Sequence, residues 1–569
     1  MPSVRLLLSG CSRAEINGGA STLFALGSWR ELPSSALVVE LDGTNLGATC
    51  ERYVIDGSAV LVFRSSGVLN VALYRGLTSS HELYYHLSLD EGRLVVADTF
   101  RGILSTVPLG ERRVPEQAVV HFLLYRTPPY GSTLISSVSR VGHGQFIEFD
   151  LFESRGVALA RTSTARLESA TASAADANQL VSKVLATLRH VTEELQLGEK
   201  DFNLFSGGVD STLLQALAGA MRPLHYEIDS AECRTETEYA TAAARMLDVG
   251  LEIVNVPESG YLSALEQVIS ASSLPPSHMQ TVLADAAFQA ACGTRCVCGA
   301  WGDSLFGFDS QRHYTLVLQA ERFLGPLRPA LLLPESSERS RVIRRLREIL
   351  RLRDQLRASA LDPMSLSGLF GLYTDFGMVV KLFGQSSVEE RIVSRTEYVL
   401  ERVSLDPTTA HGFQCELAQW VDFFSDDTIG VWQQLAAARS CPLVYVYTAS
   451  EIVRLVKSIP TAIRYVHKGR SKYLLKDALR ELLPTYPISQ PKNSGGLPLD
   501  RYLATGPLAS ALRAYPRPDF LSDRDLDAVE KAGGLMAWNI LMFSMWDSLV
   551  RGDPNLVPMP GTRLLEWPA

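Results

Sequence analysis

The chain has 569 residues, with 54 Lys and Arg against 62 Asp and Glu, a net charge of −8 and 46% hydrophobic residues. This length supports more than one domain with sizeable cores, and the composition excludes a disordered or fibrous chain. The acidic balance argues against a general polyanion binder, and 8 cysteines are too few for a disulfide scaffold.

The start of the chain, 1–10, has three consecutive leucines but no h-region or cleavage site. Residues 1–165 then read as β-rich. Short runs, Ala36-Leu-Val-Val-Glu-Leu, Ala59-Val-Leu-Val-Phe, Val71-Ala-Leu-Tyr and Leu94-Val-Val-Ala, are separated by turns at Asp42-Gly43, Asp56-Gly57 and Glu91-Gly92. The alternating run Gln145-Phe-Ile-Glu-Phe-Asp closes the series, and an Ala/Ser/Thr-rich stretch from Thr162 to Ala177 reads as a linker. An amphipathic helix follows, with Leu180, Val181, Val184, Leu185, Leu188 and Val191 on one face. Strands at Asn203-Leu-Phe, Leu224-His-Tyr-Glu-Ile and Leu251-Glu-Ile-Val alternate with helices, the pattern of a parallel sheet. Beyond about residue 315 the chain is expected to be mainly helical. The apolar stretch 535–546 contains Asn539 and is too short to span a bilayer. No membrane or nucleic-acid partner is therefore expected, and the location is read as cytoplasmic.

The sharpest chemical signal is Phe205-Ser206-Gly207-Gly208-Val209-Asp210-Ser211, between a strand and an apolar helix. Consecutive glycines let backbone N–H groups turn toward an anion, and the helix N-terminus adds partial positive charge. The Ser211 hydroxyl suits phosphate, while Asp210 suits a divalent cation. The Gly-Lys-Ser/Thr ending of a Walker loop is absent. A second glycine-bent loop, Cys298-Gly299-Ala300-Trp301-Gly302-Asp303-Ser304-Leu305-Phe306-Gly307, also follows an apolar strand and offers the acid Asp303.

The first motif resembles the pyrophosphate loop of ATP pyrophosphatases. The second resembles the Ser-Gly-Glu-Gly-Ala-Asp-Glu-Leu-Phe-Gly segment of the asparagine synthetase family. Lys468-Gly-Arg-Ser-Lys472-Tyr-Leu-Leu-Lys476, Leu483-Pro484 and Pro491-Lys492-Asn-Ser-Gly495-Gly496 are similar to that family's Lys-x-x-Leu-Arg helix, Leu-Pro stop and lysine-bearing glycine loop. The pairs Tyr74-Arg75 and Tyr84-Tyr85, and Val141-Gly-His-Gly-Gln-Phe-Ile, follow its N-terminal half. Arg439 with Pro442-Leu443 is a looser match.

The resemblance implies an α/β protein. A degenerate glutaminase-like (Ntn-type) α+β sandwich over 1–165 would precede a synthetase domain over 175–569 with a parallel sheet and a helical C-terminal part. It implies ATP and Mg2+ as cofactors, with Asp210 and Asp303 as metal ligands. Phe205, Ser206, Gly207, Gly208, Ser211, Ile228, Cys298, Gly299 and Lys472 would hold the nucleotide, and Lys492 would face the α-phosphate. The general base is not identifiable.

Three departures matter. Position 2 is Pro where glutamine-dependent members carry a nucleophilic cysteine, Ala300 replaces the loop glutamate, and Gly76 replaces the aspartate after Arg75. Members without the cysteine include β-lactam synthetases and lasso-peptide macrolactam synthetases. Gly299-x-x-Gly302-Asp303-x-x-Phe306-Gly307 with Val141 to Phe149 looks more like the latter, so the expected partners are a precursor peptide and a leader peptidase. Another glutaminase-deficient amide ligase of the family is the alternative. A tRNA-modifying ATP pyrophosphatase would carry a basic appendage instead of the β-rich first part, and a non-enzymatic scaffold would not need Ser206, Asp210 and Asp303 together.

Cys292, Cys296 and Cys298 read as buried small residues and not as a metal site, since no further Cys or His run completes a tetrahedron. The arginines between Arg339 and Arg357 read as a solvated helix with acidic partners, although they also suit an acidic partner surface. Because Pro2 supplies no nucleophile, the purified protein is expected to release no glutamate from glutamine. Glutamate formation above background would show a working amidase.

Overall fold

Strand periodicity organises the first part of the chain. A computed structural model describes residues 3–9, 11–16, 21–29, 54–65, 67–88, 92–152, 156–168, 177–230, 234–307, 374, 376–405, 410–425, 428–467, 470–488 and 497–568. Strands β1 (Ser3–Leu8), β2 (Cys11–Ile16), β3 (Ser21–Trp29), β4 (Val54–Ser65), β5 (Val68–Arg75), β6 (Tyr84–Ser88), β7 (Arg93–Ala97), β8 (Ser139–Arg140), β9 (Gln145–Phe152) and β10 (Gly156–Thr164) form two sheets. One is antiparallel with order β10-β9-β5-β4-β3-β2, and the other runs β1-β7-β6-β8. Alternate residues of facing strands, Val60, Val62, Val71, Leu73 and Phe149 against Val4, Leu6, Leu94 and Val96, interlock between them.

The second sheet is buried on both faces along Leu6–Leu8 and Leu94–Ala97, which is why these stretches are continuous apolar runs. Its other face, with Leu7, Val95 and Ala97, packs in the main core with helices α1 (Phe100–Leu104) and α2 (Glu116–Tyr125).

Helix α3 (Ala177–Glu194) matches the amphipathic pattern and leads into the second architecture. Here β11 (Phe202–Leu204), α4 (Val209–Leu217), β12 (Arg222–Ile228), α5 (Arg234–Met246), β13 (Glu252–Val256), α6 (Tyr261–Ser272), α7 (Thr281–Ala290), β14 (Cys296–Cys298), α8 (Gly302–Phe306) and, much later, β15 (Leu443–Tyr445) build a wholly parallel sheet of order β13-β12-β11-β14-β15. Helices α9 (Gln385–Arg402), α10 (Ala410–Phe423) and α11 (Ile429–Ala438) precede β15. After it come α12 (Ser450–Ser458), α13 (Thr461–Arg464), the pair β16 (Val466–His467) and β17 (Arg470–Ser471), α14 (Tyr473–Leu482) and α15 (Gly534–Trp546).

Every residue of α15 from Met536 to Trp546 is buried, as the Met/Trp pattern implies. Asn539 Nδ2 donates there to the Leu123 carbonyl of α2 at 3.0 Å. The β-rich part and the parallel sheet are bonded together: Thr448 Oγ1 donates to Asp56 Oδ2 at 2.9 Å, and Gln433 Nε2 donates to Ser80 Oγ at 3.0 Å. No helix among the described residues is long and apolar enough to cross a membrane.

Several expectations change. β10 follows the strand read as closing the series, so Thr162–Thr164 belong to a strand and not to a linker. The run at Ala36 and the arginine-rich stretch 339–357 lie outside the described residues. The last strand crosses back to the first part of the chain. β18 (Arg563–Pro568) pairs antiparallel with β1, Ser3 opposite Pro568 and Leu8 opposite Arg563, and so completes the sheet as β18-β1-β7-β6-β8. Trp567 packs edge-on against Phe24 at 6.0 Å. Deleting 563–568 uncovers the β1 edge and the Trp567 contact. It is expected to cost about 2 kcal/mol, read as a lowered thermal midpoint with increased aggregation. An unchanged midpoint would assign β18 no structural role.

Candidate functional site

The order β13-β12-β11-β14-β15 sends successive connections away from β11 in opposite directions, which opens a crevice above the carboxyl ends of β11 and β14. These neighbours run in parallel with Phe202 beside Cys296 and Asn203 beside Val297, so the two glycine loops emerge side by side. Gly207 has φ +70°, and a Cβ there would lie 2.5 Å from the Tyr239 carbonyl, so both backbone and space demand glycine. Gly208 caps α4 with no side-chain hydrogen bond, leaving its first N–H groups for a ligand. Ser206 Oγ and Ser211 Oγ stand 3.3 Å apart at the loop mouth. Across the gap, a Cβ on Gly302 would lie 2.5 Å from Asp210 Oδ1 and one on Gly299 would lie 3.3 Å from Asp210 Cβ. The second loop is thus bare where the Asp210 carboxylate presses against it.

Lys472 joins the two acids. It caps α14 in the left-handed region at φ +53°, and its ammonium contacts Asp210 Oδ2 at 2.6 Å and Asp303 Oδ1 at close range. Burial alone would lower the Lys472 pKa, but the carboxylates of Asp210 and Asp303 outweigh it and hold the ammonium above the ordinary lysine range. Two carboxylates and one ammonium leave a net negative charge. Hard oxygen donors that already converge on one cationic atom fit a divalent cation such as Mg2+.

The surrounding groups fix the loops. Tyr486 donates to the Gly207 carbonyl at 2.6 Å, and burial pushes its phenol up to about 12, keeping it a donor. Tyr447 donates to the Asp210 carbonyl at 3.4 Å, and burial, then Asp210 and Asp303, raise its pKa well above the usual range. His225 bridges the Phe205 carbonyl and Thr237, and burial lowers its pKa. Trp301, at φ +74°, donates from Nε1 to the Phe423 carbonyl at 3.0 Å, while Ser304 donates to Asp422. None of these supporting groups was singled out from the sequence. Trp301 and Ser304 stood within a quoted motif and His225 within a quoted strand, but nothing local marks their roles or the two tyrosines.

The crevice is a cavity of about 800 Å3. Of the residues expected from sequence, Phe205, Ser206, Gly208, Asp210, Ser211, Cys298, Gly299, Asp303 and Lys472 line it. Gly207 lies beneath, against Tyr239 and Tyr486. Ile228 does not line it: the residue is 1% exposed and borders a separate smaller hollow with Glu227 and Asp229. Lys492 lies outside the described residues. Met279, Leu283, Trp432, Leu497, Leu535 and Trp538 give the cavity its apolar lining.

Cys296 and Cys298 are buried on β14, where burial pushes the Cys298 thiol up to about 12, but Cys292, expected to be buried with them, is exposed. Among the described residues, the one group with metal-ligand spacing is His190, Glu194 and Glu451, which contains no cysteine. Arg439, the looser match, forms a two-bond brace to Asp285 at 2.9 and 2.8 Å.

The family model for asparagine synthase matches residues 202–548, which contain both loops and Lys472. A comparison with curated proteins returns no match. Gly302→Ala forces the Asp210 carboxylate aside by about an ångström. It is expected to lower ATP-dependent AMP formation on the order of 10²-fold while circular dichroism stays unchanged. Undiminished turnover would show that the Asp210 position is not critical.

Proposed function

We propose, from the premise that the chain belongs to the asparagine synthase family, that it closes a macrolactam ring in a peptide, as a lasso-peptide cyclase. ATP-dependent, AMP-forming carbon–nitrogen ligation is the chemistry of that family. In the proposed reaction a side-chain carboxylate of the peptide attacks the α-phosphorus of ATP, and the bond to pyrophosphate breaks. The peptide's N-terminal amine then attacks the acyl carbon, AMP leaves with the oxygen, and the amine gives up a proton. The product is an isopeptide bond.

The single observation carrying this reading is that the cavity joins a phosphate loop to an apolar wall. Ser206, Ser211 and the open N–H groups of α4 border the same space as Met279, Trp432, Leu535 and Trp538. A peptide has apolar side chains to lay on such a wall, and holding both of its ends near each other lowers the barrier by proximity. Ala300 lines the same cavity and brings no ionisable group to the place where the family carries glutamate. Asp210 and Asp303 would hold Mg2+, which supplies charge neutralisation for the phosphates. Lys472 keeps the two carboxylates together, and Lys492 is assigned to the charge developing on the α-phosphate and acyl oxygen. The β-rich part is read as a glutaminase-like layer without its nucleophile. A precursor peptide and the leader peptidase of the same route are the proposed partners, in the cytoplasm.

Incubation with ATP, Mg2+ and a core peptide bearing an acidic residue at the ring position is expected to give a product lighter by one water. AMP and pyrophosphate should form in equal amounts with it. Formation of ADP and phosphate instead would overturn the reaction type, and AMP formation without ring closure would overturn the cyclase reading alone. Lys492→Met is expected to bind ATP nearly as the parent does yet lose product on the order of 10²–10³-fold, because the lysine acts in the transition state. A parental rate would leave Lys492 an ordinary loop residue.

A further inference from the structure

Away from the nucleotide crevice, a second hollow of about 210 Å3 lies between α2, the loop at 129–132 and α9, and shares no lining residue with the first. Its polar lining comes from Gln117, His121, Ser132, Arg391, Ser394 and Arg395, together with Tyr130. Both arginines are buried, at 7% and 3% exposure. The Arg395 guanidinium lies 3.8 Å over the Tyr125 ring, and its Nε donates to Tyr130 Oη at 3.0 Å. Arg391 pairs with Glu390, whose side chain is 69% exposed. Among the described residues, no carboxylate lines the hollow. Two buried guanidinium groups thus border a space that an anion could enter.

His121 is the second, independent observation. It is 1% exposed, it lines the hollow, and neither ring nitrogen has a hydrogen-bond partner among the described residues. Its ring is wedged edge-on against Tyr125 at 4.9 Å and Tyr130 at 5.7 Å, so it cannot swing to water. Burial, then the charges of Arg395, Arg391 and Arg140, push its pKa well below the usual value, so it offers the hollow a neutral N–H. A buried polar group left without a partner costs free energy that a ligand acceptor would recover.

We propose that this hollow binds a small tetrahedral oxyanion of the phosphate type. Donors from α2, from the 129–132 loop and from successive turns of α9 reach the space from several sides, which suits four oxygens better than the planar pair of a carboxylate. The site also touches the machinery of the nucleotide crevice. Tyr130, which accepts from Arg395, donates to the Val421 carbonyl at 2.6 Å, and the next two residues of α10 hold the Asp303 loop through Ser304 and Trp301.

The test is calorimetric titration of the full chain with inorganic phosphate at constant ionic strength, alongside Arg391→Met and His121→Phe, with acetate as the planar control. The expected result is saturable one-site binding to the parent, weakened about tenfold or more in Arg391→Met, consistent with loss of a charge-assisted hydrogen bond. His121→Phe, which keeps a ring but no donor, should weaken it as well. A thermal midpoint in chloride buffer equal to the parent's shows that each variant is folded. Absence of binding to the parent overturns the proposal. So does equal binding by both folded variants, which would place the phosphate elsewhere, for example on the α4 loop. Acetate binding as tight as phosphate overturns the tetrahedral assignment.

Discussion

Two carboxylates that face each other across a narrow gap repel unless positive charge stands between them. The placing of Asp210 and Asp303 is the constraint to which the rest of the crevice answers. β11 and β14 must be adjacent and parallel to deliver one acid each. The second loop must lack a side chain at Gly302, and Lys472 must accept a left-handed backbone to arrive from the far side. Non-glycine residues at positive φ are uncommon and persist where surrounding structure enforces them. Trp301 and Lys472, on either side of Asp303, are two such positions.

The enforcement comes from behind the site. Glu416 on α10 is wholly buried and binds Lys457 of α12 at 2.5 Å and Arg464 of α13 at 2.8 Å. Arg464 also donates to the carbonyls of Lys457 and Ile459. Such a cluster is an uncertain source of net stability, yet removing one member strands a buried charge. Its position explains its use here. The chain leaves Arg464, passes through the β16–β17 pair and returns as Lys472, whose N–H donates to the Tyr465 carbonyl at 3.2 Å. Helix α10 therefore braces both partners of the ion pair: its middle anchors the approach to Lys472, and its end holds the loop of Asp303 through Asp422 and Phe423.

Much of this was legible in sequence because the chemistry is local there. Ser206 to Ser211 is a strand–turn–helix junction written in consecutive residues, and Gly302-Asp303 carries its steric reason next to its charged group. Lys472 was placed by resemblance alone, since a lysine before an amphipathic helix has no distinguishing local signal. Tyr486, Tyr447 and His225 went unnoticed because each acts by reaching a backbone carbonyl distant in sequence, a relation no spacing encodes. Ile228 was assigned to the nucleotide, but it sits at the end of β12 facing a different hollow. β15 is 3 residues long and joins β14 only after a long helical excursion, so periodicity could not announce it. β10 escaped notice for the opposite reason: its residues after Val157 are mostly solvent-facing, and its Ala, Ser and Thr content resembles a linker.

The pairing of β1 with β18 sets an order of events during synthesis. A ribosome delivers Ser3–Leu8 long before Arg563–Pro568, so one flank of the first sheet must wait while the intervening parallel-sheet region is translated. Contacts of such sequence separation form late and slow the approach to the native state. During that interval β1 presents open backbone donors and acceptors to solvent, the condition under which strands from neighbouring nascent chains join. Holdase chaperones that shield exposed strand edges would therefore matter most for this chain before β18 emerges.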